Sequence, residues 1–379
     1  MAIQLFVPTF DVEGCLAEIR ECLEKGWTGL GYKTVQFEEE WKKYTGLPYA
    51  HFLNSATVGL NLAFEILKEK YGWNDGDEVI TTPLTFISSN HAILLNNLHA
   101  EFADIDDTLC LDPAEVEKHI TPQTRAVLFV GVGGNVGHLD QIVNICKEHN
   151  LKLILDAAHM SGTRLNGECP AKYADVAVFS FQAVKNLPTA DSGMICFREK
   201  ELDEVVRKKT WLGINKDTYL RSSDNGTYKW KYDVEYVGYK YHGNSIMAAI
   251  ALAQIKHLDK DNAYRRQIAK WYTDGFAPHS DKIKLVHVPG NCESSRHLFQ
   301  ILVENRDDLM TYLNKHDIYP GVHYVDNTEY RMYSYAKGEC INAAYASEHL
   351  ISLPLHMRLE FEDVQTVIKN VVVFITNEK

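Results

Sequence analysis

The stretch LDQIVNICKEHNLKLILDAAH, residues 139–159, decides the architecture. Residues 139–150 set Ile142, Val143 and Cys146 at helical spacing among charged and amide side chains, which predicts an amphipathic helix. LKLILDAA, residues 151–158, is a short apolar run, and its length and its place after a helix predict a buried strand. A strand apolar on both faces belongs to a sheet covered by helices on both sides. This one ends on a carboxylate, Asp156, followed by Ala157, Ala158 and His159.

The alternation extends outward. Upstream, TVGLNLAFEILKEK (57–70) carries apolar residues at helical spacing, and DEVITTP (77–83) reads as a strand entered through the turn Asn74-Asp75-Gly76. HAEFADID (99–106) and RAVLFVGV (125–132) are strand-like, as are DVAVFSF (175–181) and GMICF (193–197) downstream. Helical crossovers between apolar strands predict an α/β fold around a mostly parallel sheet. Ligands in such sheets bind beyond the carboxyl ends of the strands, so residues that carry chemistry are expected there. After Phe197 the pattern changes. A helix (KELDEVVRKKTWLG) leads to a Tyr-, Lys- and Asp-rich stretch, 214–243, then to one long helix from about Asn244 to Phe276. Strand RHLFQILVE (296–304), helix RDDLMTYLNKHDI (306–318), a turn at Pro320-Gly321 and a final helix from about Glu362 predict a smaller α+β domain. The expected division is 1–250 and 251–379.

Composition narrows the function. A chain of 379 residues, 45% hydrophobic and 24% charged, is that of an ordinary globular protein with a large core. A net charge of −12 argues against nonspecific nucleic-acid binding, so an anionic substrate needs a local basic pocket. The eight cysteines are scattered without a Cys-x-x-Cys pair, which points to reduced thiols in the cytoplasm rather than disulfides or zinc. The amino terminus, MAIQLFVPTFDVEG, lacks the pattern of a signal peptide, and no apolar run approaches the length of a membrane span.

Four segments carry candidate chemistry. Asp156 closes a buried strand, where a carboxylate is costly unless it meets a cation; the alternative is a turn-forming Asp. In Phe179-Ser180-Phe181-Gln182-Ala183-Val184-Lys185, a lysine just past an apolar strand, if held in a dry pocket, becomes a neutral nucleophile and base. The alternative is a surface lysine. Asn54-Ser55-Ala56-Thr57 lies where a strand gives way to a helix, an anion site with added hydroxyls, and also a plain helix cap. No Gly-x-x-x-x-Gly-Lys pattern marks it as a nucleoside-triphosphate loop. Thr82–Asn90 contains Phe86, an aromatic for stacking on a cofactor ring or a core residue.

In this order, the segments resemble the DegT/StrS-type family of sugar-nucleotide aminotransferases, fold-type I enzymes of pyridoxal 5′-phosphate (PLP). Further matches are Gly26-Trp27-Thr28-Gly29-Leu30-Gly31, Phe37-Glu38, Gly238-Tyr239-Lys240-Tyr241, Arg296-His297-Leu298-Phe299, Gly321-Val322-His323-Tyr324 and Ser352-Leu353-Pro354-Leu355. The resemblance implies a three-layer α/β/α large domain of the aspartate aminotransferase type and a smaller carboxyl-terminal α+β domain. It implies Lys185 as the lysine bound covalently to PLP, Asp156 against the pyridine nitrogen, and His159 near the ring and its phenolic oxygen. Ser55, Ala56, Thr57 and Ser180 would hold the phosphate, Phe86 would cover the ring, and Lys240 would reach a phosphate across a homodimer interface, with sites built from two subunits. Trp27, Thr28, Gly29, His323 and Tyr324 would meet the substrate, with Trp230, Tyr232 and Tyr330 as further sugar contacts. Two family glycines after the lysine are replaced by Ala190 and Ser192; if either position needs positive φ, the loop has adjusted.

The implied reaction moves an amino group from L-glutamate to the C3 or C4 ketone of a nucleotide-linked deoxysugar for polysaccharide, lipopolysaccharide O-antigen or glycoside synthesis. A related dehydratase branch carries His in place of the lysine, and Lys185 argues against it. A cyclitol or other non-nucleotide ketone would use the same residues. A catalytically idle PLP-fold regulator is opposed by the Lys185/Asp156 pair. A metal enzyme finds no His-Glu-x-x-His or similar ligand spacing among the sixteen histidines.

Overall fold

A computed structural model of the chain describes residues 2–215 and 232–377. In chain order the strands begin with β1 Tyr49–Leu53, β2 Glu78–Thr81, β3 His99–Phe102, β4 Thr124–Val130, β5 Lys152–Asp156 and β6 Arg164–Leu165. They continue with β7 Val176–Ser180, β8 Gly193–Phe197, β9 Lys284–Leu285, β10 Cys292–Glu293, β11 Phe299–Leu302 and β12 Leu350–Leu353. The main sheet has the order β1-β8-β7-β5-β4-β2-β3. The pairs from β7 through β5, β4 and β2 to β3 are parallel. β8 runs antiparallel to both of its neighbours.

Every residue of β7 and β8 is buried, as the two-sided apolar runs require. Successive residues along a strand point to opposite faces. Phe52, Phe129 and Phe179 accordingly join one apolar cluster, with Phe37, Trp41 and Phe181. Their neighbours Leu53, Leu128 and Val178 join another on the opposite face, with Phe64. A third cluster surrounds the small sheet β12-β11-β9 and gathers Tyr272, Phe276, Phe299, Ile301, Leu309 and Val367. Ile3 belongs to it as well, tied by backbone hydrogen bonds to Asp317 and Tyr319.

The predicted helices after β1 and before β5 are present as Ala56–Tyr71 and Leu139–Glu148. The single long helix expected over 244–276 is instead two, Ser245–Gln254 and Leu258–Phe276. Between them the backbone tightens to i→i+3 bonds from His257 N–H to Gln254 and from Leu258 N–H to Ile255. At this break Gln254 accepts from Asp11 N–H and donates to Thr9 O, and His257 meets Asp11 Oδ2 at 3.3 Å. The interruption thus has a cause in the amino-terminal segment that docks there. The amino-terminal helix Val12–Glu24 lies along Ser245–Gln254, with Cys22 buried between them and its thiol donating to Ser245 O. The eight cysteines are free, and no helix among the described residues is long and apolar enough to cross a membrane.

Candidate active site

The carboxyl ends of β1, β5 and β7 lie along one edge of the sheet because these strands run the same way. β8 runs the other way, so its first residue, Gly193, arrives at that edge and pairs with both Leu53 and Ser180. A Cβ on Gly193 would come within 2.6 Å of Ala56 N and 2.9 Å of Phe179 O, so glycine is what lets the turn after β1 seat against β7. Above this edge lies a cavity of about 450 Å³, a usual size for a small-molecule site.

Asp156 sits at its floor, 5% exposed. Ser89 Oγ donates to its Oδ2 at 2.7 Å, and Ala158 N–H donates to its Oδ1 at 3.0 Å. Because the Ser89 hydrogen is so committed, Thr85 Oγ, 3.0 Å from Ser89 Oγ, donates to it. Burial raises the Asp156 pKa, while the Ser89 and Ala158 bonds and the charge of Lys185 oppose the rise. No basic side chain lies in salt-bridge contact with it among the described residues, so the floor of the cavity presents a carboxylate with room for a cation.

Lys185 follows β7 on a tight turn closed by Lys185 N–H to Gln182 O and Thr189 N–H to Phe181 O, both 2.8 Å. Burial brings its pKa down to about 8, partly opposed by Asp156. The amine is therefore largely available as a base at mildly alkaline pH. His159 is held well below its usual pKa by burial and by the charge of Lys185. Its Nδ1 accepts from Gly133 N–H at 3.2 Å, which places the ring proton on Nε2, 3.0 Å from Tyr324 Oη. Tyr324 Oη therefore accepts from His159 and keeps its own hydrogen for a ligand. Gly133 adopts φ +64 to make this contact, a left-handed geometry suited to glycine. His323 bonds Ser352 Oγ through Nδ1 at 3.0 Å, and burial brings its pKa down to about 4.

Ser55 caps helix Ala56–Tyr71, its Oγ accepting from Val58 N–H, and Ala56 and Thr57 open the first turn on the cavity wall. Ser180 lines the same cavity. Phe86 is 57% exposed at the mouth, its ring 6.0 Å from that of Tyr324. The fold thus brings Ser55, Ala56, Thr57, Phe86 and Asp156 to one cavity with His159, Ser180, Lys185, His323 and Tyr324.

It does not bring the others there. Trp27 donates from Nε1 to Leu30 O, and the carbonyls of Thr28 and Gly29 accept from Ser245 N–H, so this turn braces a helix start outside the cavity. Lys240 Nζ lies 3.3 Å over the Trp211 ring, also outside it. Tyr232 and Tyr330 do not line the cavity, and Trp230 lies outside the described residues. Neither Ala190 nor Ser192 has a positive φ, so the loop adopts backbone that any residue accepts. Ser192 Oγ donates to Thr189 Oγ at 2.7 Å, since the Thr189 hydroxyl is spent on Phe181 O. Glu117, Glu148 and His149 group together on the surface as metal-capable side chains, and none lines the cavity.

Ser89 and His297 emerge as participants that their segments alone do not single out. Their partners, Asp156 and Lys185, lie 67 and 112 positions away. The only hint in the sequence is that both fall in segments matching one family.

A sequence model of the DegT/DnrJ/EryC1/StrS aminotransferase family matches residues 11–372. The chain belongs to that family. It is 35% identical to the spore coat polysaccharide biosynthesis protein SpsC of Bacillus subtilis, over 94% of this chain and 93% of SpsC. Its fold superposes with a TM-score of 0.92 on PseC of Helicobacter pylori, an aminotransferase involved in the biosynthesis of pseudoaminic acid, at 25% identity and over 100% of both chains. Streptococcus pneumoniae Spr1654 in its PLP-form gives a TM-score of 0.90 at 27% identity, covering 99% of each chain. The protein is a PLP-dependent sugar aminotransferase with the aminotransferase α/β fold. The donor set fits PLP: an amine for the aldehyde, a buried carboxylate for the ring nitrogen, and a capped helix start with two serine hydroxyls for the phosphate.

Proposed function

We propose that this aminotransferase moves an amino group from L-glutamate to the C3 or C4 ketone of a nucleotide-linked deoxysugar. The observation that carries this reading is Lys185 and Asp156 lining one cavity whose wall holds the Ser55-capped helix start. PLP, when bound, supplies an electron sink for the charge left on a carbon that loses its proton. Asp156 holds a positive charge at the cavity floor through its own negative one. Lys185, as a free amine, would take the donor's Cα proton as a base and return a proton as an acid. His159 and Tyr324 brace the cavity lining with a hydrogen bond of defined direction. The helix start and Ser180 would hold the phosphate, on the same cavity that Lys185 lines.

Two copies share their sites in this reading. Lys240 and the Trp27–Gly29 turn lie outside their own chain's cavity, Phe86 is open at its mouth, and Val237 is 91% exposed near Lys240. These features suit a partner that closes the mouth and receives Lys240.

The test is purified protein supplied with glutamate and a panel of dTDP-, UDP- and GDP-linked keto-sugars, reading 2-oxoglutarate and the aminated sugar. One accepted nucleotide sugar supports the proposal. Turnover of a free cyclitol ketone with none of the panel replaces it.

A further inference from the structure

His297 lies behind the reactive lysine and is 2% exposed. Its ring stacks on Phe6, with centroids 5.5 Å apart and planes 8° from parallel, and sits 4.3 Å from the His159 ring. Its tautomer follows from bonds two residues deep. Asn186 Nδ2 donates both its hydrogens, to Asn262 Oδ1 at 2.7 Å and to Ser295 O at 2.8 Å. Asn262 Nδ2 in turn donates to Ser161 O at 2.9 Å, which fixes the orientation of that amide. Asn186 is thereby left with only its carbonyl oxygen to face His297 Nδ1, 3.0 Å away. Nδ1 carries the proton, and Nε2 is a bare lone pair, 3.5 Å from Lys185 Nζ.

We propose that His297 is a positioning residue for Lys185, a neutral imidazole whose Nε2 accepts a hydrogen from the lysine amine whenever that amine is not bonded to the cofactor. The inference rests on the reading of Lys185 as the reactive amine. Asn262, Asn186 and His297 form a relay of fixed direction that ends on that amine. With one hydrogen held by His297, the amine's rotation is restricted and its lone pair is kept for the cavity. The ionisable groups around this pair are Asp156, His159, His323 and Arg265. Burial disfavours a charged His297, and the neighbouring positive charges of Lys185 and Arg265 disfavour it further, so the ring accepts a hydrogen bond and does not take the proton. The 3.5 Å separation is that of a contact at rest, and such contacts commonly tighten in the working complex.

Two measurements test this. In the full-length apoprotein with 15N-labelled histidine, NMR should show His297 neutral and protonated on Nδ1. A ring protonated on Nε2, or charged at pH 7, overturns the proposal. The second reads the Lys185 amine itself through the pH dependence of its reductive methylation, located by mass spectrometry. His297→Phe keeps the ring and its stacking on Phe6 but has no acceptor. Its Lys185 midpoint should fall by about one pH unit, because a bond that favours the ammonium is lost. His297→Gln, which restores an acceptor oxygen, should return to within a few tenths of wild type. In the loaded enzyme, His297→Phe should lower kcat roughly tenfold or more with KM for the sugar little changed. A midpoint unchanged in His297→Phe, or the same in both variants, also overturns the proposal. Should His297→Phe not fold, the wild-type tautomer still decides. The apoprotein readings involve no cofactor, so they fail separately from the assignment of Lys185, which is tested by whether Lys185→Ala still traps PLP on borohydride reduction.

Discussion

Lys185 shows how one side chain gains its chemistry from where it is buried. In water its amine would be protonated at every physiological pH, but burial lowers its pKa to about 8. Below that value the protonated amine is no nucleophile, so the rate of PLP capture by the apoprotein should rise about tenfold per pH unit and level off above about 8. Stopped-flow absorbance checks this, and a rate still climbing to pH 10 would mean that the amine is solvated. Lys185→Ala should cut transamination by at least about 10²–10⁴-fold, with added methylamine recovering part of it in a steady-state assay. Asp156→Asn keeps the shape but removes the charge. A loss of roughly 10²–10³-fold in kcat is expected, measured with cofactor saturating so that weaker binding is not mistaken for slower chemistry. Asp156 was legible in the sequence because it closes a buried strand and Lys185 because it follows one closely, and the family match of both segments set them apart from a turn former and a surface lysine. Ser89 and His297 were not, because what gives each its role is a partner distant in the chain. Trp27 and Lys240 mark the limit of a motif, which reports which residues accompany a function but not which of them line a given chain's own cavity.

At the scale of elements, strands were easier to read than helices with charged residues inside. Near-continuous apolar runs such as Val176–Phe179 admit little else. Helix Tyr32–Thr45 escaped the sequence reading although its buried positions, Lys33, Thr34, Phe37, Glu38, Trp41 and Thr45, keep helical spacing. Lys33 and Glu38 break the apolar period because each is buried with partners from other elements: Lys33 with Glu18 and Glu21, Glu38 with Arg207 and His51. Glu38 also accepts from Phe52 N–H at 2.8 Å, so it fixes the helix to β1 directly before the cavity edge. Burial alone would raise its pKa, yet Arg207, His51 and the Phe52 amide bring it down to about 2. A carboxylate depressed in the folded state stabilises it above the unfolded value of 4.5 and loses that contribution as pH falls toward 2. Glu38→Ala, which leaves Arg207 with Asp203 as its remaining carboxylate partner and takes the acceptor from His51 Nδ1 and the Phe52 amide, should destabilise the protein by about 2–4 kcal/mol at neutral pH. The deficit relative to wild type should shrink between pH 4.5 and 2, in urea titrations at stepped pH. A deficit that stays constant across that window would show that Glu38 acts through packing, not charge.

The whole molecule sets residues from its last third against the strand ends of its first half. His297, His323 and Tyr324 follow Leu258–Phe276 in the chain, yet they reach Lys185, the cavity and His159 on the β5 and β7 edge. Asn327 ties the two regions: it accepts from Asn90 Nδ2 at 2.9 Å and donates to Thr85 O at 2.9 Å, which holds the Phe86 loop to the Tyr324 loop. One chain therefore assembles the amine, the floor carboxylate and the Ser55-capped helix start, and leaves its mouth open at Phe86 with Lys240 outside the cavity. If a partner's Lys240 completes the site, damage to Lys185 and to Lys240 can be placed on different chains and compensated. Lys185→Ala removes chemistry from a chain's own cavity, and Lys240→Ala removes a cation from its partner's. In a heterodimer of the two variants, one cavity carries both losses and the other carries neither. Random reassociation of equal amounts should then restore about a quarter of wild-type activity, from two preparations that are each far less active alone. The measurement is specific activity after mixing under conditions that exchange subunits, with mass photometry to confirm that dimers re-form. Dimers that mix without any gain in activity would mean that Lys240 serves its own chain, and the shared-site arrangement would have to be abandoned.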